Sequence, residues 1–323
     1  MKRSILKGMA LFLLLCSGGT LACAQQQKQD TIVVSRDGTG KYRDIQEAVE
    51  AVRAFMDYTV TIFIKNGIYK EKLVIPSWVK NVQLVGESAE GTIITYDDHA
   101  NIDKMGTFRT YTVKVEGNDI TFKNLTIENN AAPLGQAVAL HTEGDRLMFI
   151  HCRLLGNQDT IYTGREGTRL LFTDCYIEGT TDFIFGPATA LFERCTIHSK
   201  RNSYITAAST PENVEFGYVF KNCKLTAAPG VTKVYLGRPW RPYASTTFLN
   251  CEFGSHIRPE GWDNWRNKEN EKTARYAEFG NTGEGAATAG RVKWAKQLTS
   301  KEALRYTIEN IFTDSSNWYP YKR

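Results

Sequence analysis

LLFTDCYIEG (170–179) is echoed twenty residues later by ALFERCTIHS (190–199), and this echo decides the fold. The same form recurs as LMFIHC (147–152), YVFKNC (218–223) and TTFLNC (246–251), and TFKNL (121–125) carries Leu125 in the cysteine slot. In every copy a phenylalanine stands three residues before that slot: Phe122, Phe149, Phe172, Phe192, Phe220 or Phe248. The slots are 27, 23, 20, 28 and 28 residues apart. A period of about 20–30 residues with one short alternating segment per copy marks a solenoid, since no copy can bury its apolar face alone. Gly, Asn and Asp follow the segments, with little helical periodicity between them, so the fold class expected is all-β, a right-handed parallel β-helix. Inside it Cys152, Cys175, Cys195, Cys223 and Cys251 would stack as a ladder of small buried hydrophobes. Neighbouring rungs lie within disulfide range, but five is odd and most of these thiols are expected to be free.

Working outward, each open end of a solenoid needs a cover. Ile45, Ala48, Val49 and Val52 recur at helical spacing after Asp44, which predicts an N-terminal capping helix over 44–55. Thr299 and Glu302 form a capping box that opens a C-terminal helix through Leu304, Ile308 and Ile311. From Gly254 to Gly290 the repeat gives way to Trp, Asn, Glu and Gly, read as long loops along the outside. Residues 25–323 are expected to form a single domain.

The first 24 residues read as an export signal, with a basic start, the apolar run Met9 to Cys16 and a small-residue end, Ala22-Cys23-Ala24. Leu21-Ala22-Cys23 is also a partial lipobox, which makes lipidation of Cys23 the rival reading. The chain is expected to be exported, whether periplasmic, secreted or an outer-membrane lipoprotein. No other stretch reaches the roughly 18 apolar residues a membrane helix needs. At 42% hydrophobic and 23% charged, the 323-residue chain has a globular balance. Removing Lys2, Arg3 and Lys7 takes three positive charges from the formal +5. The remainder is too small to argue for nucleic acid.

Familiar catalytic signatures are absent: no G-x-S-x-G, H-E-x-x-H, Walker A loop or C-x-x-C. His151 and His198 flank repeat segments and read as structural or surface residues. Asp159 and Asp182 each follow a slot cysteine by seven residues, which puts them at one azimuth on consecutive coils. Gln136 precedes Asp159 by the same 23 residues that separate the two aspartates, placing it one rung earlier. Strands about 4.8 Å apart let two carboxylates push their pKa values apart, one raised and one low. The bland alternative is turn chemistry, yet a plain turn needs neither the amide of Gln158 nor the aromatics after Asp182. YLGRPWRPY (235–243), two coils on, adds Arg238, long enough to reach a carboxylate, and Trp240, a flat face for a sugar ring.

GQAVAL (135–140), GNQDTIY (156–162), DFIFG (182–186) and LGRPW (236–240) occur in order and resemble the pectinesterase family. DGTGKYRDIQEAV (37–49), GIYKE (67–71), FGNTGEGA (279–286) and RVKW (291–294) extend the likeness over nearly the whole chain. The resemblance implies hydrolysis of galacturonate methyl esters in pectin with release of methanol. Asp182 matches the nucleophile, Asp159 the general acid and base, Gln136 and Gln158 the amides that receive the oxyanion, and Arg238 the partner of Asp182. Tyr162, Phe185 and Trp240 match aromatics of the sugar groove. No cofactor and no metal are implied, and a monomer acting on pectin is expected. Thr181 departs from the pattern, standing where relatives often carry an apolar residue. A lyase or glycosidase on the same fold would need other groups, such as a calcium-binding carboxylate cluster. A non-catalytic carbohydrate-binding solenoid would need only the aromatics.

Overall fold

The computed structural model describes residues 31–312, 318 and 320; the export-signal reading of residues 1–24, with Cys23, lies outside them. The described chain winds through an eleven-stranded, an eight-stranded and a seven-stranded sheet, each built from one short strand per coil. Strands of successive coils pair in parallel in all three sheets. Parallel crossovers of this kind wind right-handed. Each coil runs from the eleven-stranded sheet to the eight-stranded and then to the seven-stranded one, as in Leu147–Ile150, Arg153–Leu155 and Ile161–Thr163.

The phenylalanines of the repeat lie in register, Phe122 against Phe149, then Phe172, Phe192, Phe220 and Phe248. Their rings form one internal stack with centroids 4.4–5.1 Å apart and planes within 8–10°. Direct stacking follows because a parallel in-register ladder translates each side chain by one strand spacing. The five cysteines are buried and free. Cys175, Cys195, Cys223 and Cys251 each donate Sγ–H to a phenylalanine carbonyl of the preceding coil, at 3.2–3.5 Å. The residue before each slot turns the corner between sheets: Asn124, His151, Asp174, Arg194, Asn222 and Asn250 all have φ of 50–56°. Asn and Asp accept this left-handed backbone most readily, which explains their recurrence just before the slot.

The N-terminal cover is a helix over Ile45–Glu50, shorter than the 44–55 expected, with Ile45, Ala48 and Val49 fully buried. Its first amides are capped from the next coil by Glu71, which accepts from Ile45 N at 3.1 Å and Gln46 N at 2.9 Å. Asp44, at the N-cap position, makes no side-chain capping bond and pairs with Arg36. At the other end the capping box at Thr299 and Glu302 is present, but the helix it opens stops at Ala303. A second helix, Ile308–Phe312, follows. Neither closes the core; Ile311 and Phe312 pack with Leu171, Leu191, Val219 and Leu249 on the outer face of the eleven-stranded sheet. The far end is closed in part by a further strand, Arg275–Phe279, which pairs in parallel with Ser245–Leu249 inside the stretch 254–290 that was expected to be loops throughout. From the loop before it Trp262 stacks on Tyr276 of this strand at 4.2 Å and bonds its buried Glu278, which also pairs with Arg291 at 2.8 Å.

Candidate active site

The seven-stranded sheet carries the site. Its strands Ile161–Thr163 and Ile184–Gly186 pair with Ile161 opposite Ile184, so Asp159 and Asp182, two residues earlier on each, are rung neighbours. The ladder continues through them: Asp159 N donates to Thr181 O at 3.1 Å and Asp182 N to Tyr204 O at 2.9 Å. Both have left-handed backbones, φ 67° and 48°. The turn reading and the functional reading are therefore compatible here, because the turn into the sheet aims both carboxylates outward. Inward anchors hold that turn, with Phe183 and Ile184 fully buried after Asp182 and Ile161 after Asp159. Gly186 closes the motif at φ 126°, where a Cβ would sit 2.3 Å from Thr163 O.

Arg238 reaches back two strands. Its Nε donates to Asp182 Oδ1 at 2.9 Å and its Nη2 to Oδ2 at 2.6 Å, a bidentate pair. Gly237, just before it, has its Cα so near Thr206 that a Cβ would lie 2.0 Å from the threonine hydroxyl. Arg238 N and Trp240 N then donate to Thr206 O and Ala208 O, which fixes RPW against the strand Tyr204–Ala208.

Gln136 and Gln158 join the two aspartates, Phe185, Arg238 and Trp240 around one cleft of about 240 Å³. Gln136 lies on the rung before Asp159, as the spacing implied, but not directly opposite it. Leu140 pairs with Ile161, an offset of 21, so Asp159 aligns with Val138 and Gln136 lies one pleat away. Ala137 N donates to Gln158 O at 3.0 Å, keeping the two glutamines on neighbouring strands. Among the described residues neither glutamine amide has a protein hydrogen-bond partner, which leaves both amides available to a ligand. Tyr162 and Phe185 stack at 4.7 Å, and Trp240 meets both edge-on at 6.4 and 5.7 Å. Thr181 is satisfied by Ser203 of the next coil, Oγ to Oγ at 2.8 Å.

Burial, followed by the charge of Asp182, pushes the Asp159 carboxyl well above its ordinary range. Asp182 is also raised, by burial first, while its bonds to Arg238 pull the other way. The expectation that one carboxyl stays low is thus corrected: both rise, and Asp159, without a paired cation of its own, rises further.

Three groups escaped the sequence reading. Phe108 stacks obliquely on Tyr162 at 4.8 Å from a loop outside the repeat. Trp265 and Tyr204 contact Arg238. Tyr204 was detectable, one rung beyond Asp182, whereas Phe108 and Trp265 lie where no period operates. A larger hollow of about 440 Å³ under the C-terminal helices is lined by Phe216, Trp294 and Tyr306 with Glu215, Arg275, Lys296, Glu302 and Arg305, and holds neither of the two aspartates. His151 and His198 lie away from the cleft; His198 bonds Thr226 at 2.9 Å.

The family profile for pectinesterase matches residues 31–315. A probable pectinesterase/pectinesterase inhibitor of Brassica napus is 38% identical over 304 residues, covering 89% of this chain and 52% of that protein. The chain thus spans about half the length of several curated relatives it matches. Among solved structures, the pectin methylesterase from carrot superposes with a TM-score of 0.83 at 34% identity, covering 87% of this chain and 92% of that one. A pectin methylesterase crystallised in complex with a hexasaccharide matches with a TM-score of 0.77 at 30% identity, covering 90% and 98%.

Proposed function

The chain belongs to the pectinesterase family, and on that premise we propose that it hydrolyses the methyl esters of galacturonate units in pectin and releases methanol. The observation that carries this reading is the pair of aspartates on neighbouring rungs, one gripped by Arg238, at the floor of an aromatic cleft. The relative solved with a hexasaccharide supports a polysaccharide substrate for the same groove.

In the proposed mechanism an Asp182 oxygen attacks the ester carbonyl carbon, and the carbonyl electron pair moves to oxygen. Gln136 and Gln158 donate to that oxyanion, a charge that exists only in the transition state and intermediate. The intermediate collapses by breaking the bond to methoxide, which takes the proton of Asp159 and leaves as methanol. Galacturonate is then held on Asp182 as an acyl-enzyme. Asp159, now ionised, takes a proton from water as that water attacks the acyl carbon, which frees the acid and restores both aspartates. Burial and the Asp182 charge keep a proton on Asp159 for the first step, and Arg238 opposes burial to keep Asp182 ionised. Tyr162, Phe185 and Trp240 would take sugar faces. The basic and apolar start of the sequence supports export, placing the enzyme with its substrate outside the cytoplasm.

Incubating the protein with highly esterified pectin tests this reading. Methanol should appear with equivalent acid while chain length and unsaturation stay constant. Shortened or unsaturated products would favour a glycosidase or lyase, and binding without any product a carbohydrate-binding module.

A further inference from the structure

The guanidinium of Arg238 is enclosed on both faces. Its Cζ lies 4.0 Å from the ring centroid of Tyr204 and 3.7 Å from that of Trp265. Tyr204 stacks in turn on Tyr235 at 5.2 Å, with planes 11° apart. Arg258 lies over Tyr235 at 4.7 Å and is held by Glu260. One stack therefore runs from Trp265 through Arg238, Tyr204 and Tyr235 to Arg258. A planar fork packed between two rings keeps only its edge free, and that edge makes both bonds to Asp182.

Trp265 comes to this place at a cost. Its backbone is left-handed, φ 57°, as is that of Arg266 at 58°. A bulky residue in that region is an outlier that persists only when its surroundings enforce it. Here they do: Trp265 N donates to Asp263 Oδ1 at 2.7 Å, Asn264 Nδ2 to Glu271 at 2.7 Å, and the buried Asn270 to Asn264 O at 3.0 Å. A loop that merely covered the solenoid end would need neither the strained residue nor its bracing.

We infer that Trp265 is a positioning residue: it closes the outer face of Arg238 against Tyr204 and so keeps the guanidinium edge-on to Asp182. This deepens the proposed function and rests on it. Five groups face Asp182: Arg238 from two rungs on, Asp159 from the preceding rung, Asp263 from the loop, Tyr204 from the next rung and Tyr276 from the interior. Only Arg238 favours the ionised form. If Trp265 is removed, the fork gains freedom to tilt, the bidentate pair weakens, and burial with the Asp263 carboxylate prevails.

The test follows the Asp182 carboxyl itself in protein labelled with 13C at aspartate carboxyls, its signal assigned by its loss in Asp182→Asn. In Trp265→Leu the Asp182 titration should move up by about one pH unit, while Trp265→Phe, which keeps a ring, should stay near wild type. The acid limb of methanol release should move with it. A folded Trp265→Leu whose Asp182 titrates as in wild type overturns the positioning role, and any activity loss then belongs to sugar contact. An Asp182 titration that shifts as expected in proteins that release no methanol leaves the positioning role standing and removes the esterase reading.

Discussion

Replacing Asp159 by asparagine should make the protein more stable at neutral pH while disabling it. Asp159 is 8% exposed, and among the described residues no side chain donates to its carboxyl; burial and the Asp182 charge both favour its protonated form. Asparagine keeps the shape and accepts the left-handed backbone at φ 67° as readily, so it removes the electrostatic penalty and adds no strain. The sign follows from linkage: an acid whose folded pKa lies above its unfolded value binds protons more tightly when folded. Folding is then unpenalised below the unfolded value of 3.8, and the penalty grows as pH rises from there towards the folded pKa. Relief of such functional strain is commonly worth about 0.5–2 kcal/mol, a few degrees in Tm for a chain of this size. Thermal melts of both proteins from about pH 3 to 7 measure it. A gain that appears above about pH 4 and vanishes at pH 3 is expected. An Asp159→Asn protein that melts no higher than wild type at pH 7, or whose gain is independent of pH, would refute the electrostatic account of this residue.

Arg238→Gln removes both charge-assisted bonds from Asp182, leaving causes that all raise its carboxyl. The acid limb of methanol release should move up in pH with the fold kept by circular dichroism, and an unmoved limb would sink that pairing's role. Phe172→Ala opens a cavity between Phe149 and Phe192, both stacked on it at 4.6 Å. A loss of about 3–5 kcal/mol in denaturant titration is expected, whereas less than about 1 would show the stack is dispensable. Thiol titration of the unfolded, unreduced protein should find Cys152, Cys175, Cys195, Cys223 and Cys251 all reactive, and in the native protein almost none. A single reactive thiol after unfolding would replace the ladder with disulfides.

What the sequence disclosed and what it hid have a common physical basis. Parallel stacking translates one residue type from coil to coil, so Phe149, Phe172 and Phe192 betray the solenoid, and the equal spacing of Asp159 and Asp182 betrays their adjacency. Coil length varies in the loops, however, so the same arithmetic misplaced Gln136 by a pleat, where the offset is 21 residues. Trp265 was invisible because it comes from a loop whose course depends on Asp263 and Asn270, not on any period. The C-terminal helix was read as an end cover from its apolar spacing, but that spacing says only that one face is buried. The bare outer face of Leu171, Leu191 and Val219 took it. The LGRPW resemblance located Arg238; of the two rings that clamp it, Tyr204 could have been found from the period and Trp265 could not.

The central claim is that Asp182 forms a covalent acyl-enzyme, and Asp182→Asn tests it most directly. The bonds from Arg238 can be kept in part by the amide oxygen, so folding and pectin binding should survive. Methanol released from highly esterified pectin should fall by about 10⁴-fold or more relative to wild type, as for other nucleophile deletions. A folded, pectin-binding Asp182→Asn protein that releases methanol at near the wild-type rate would contradict it.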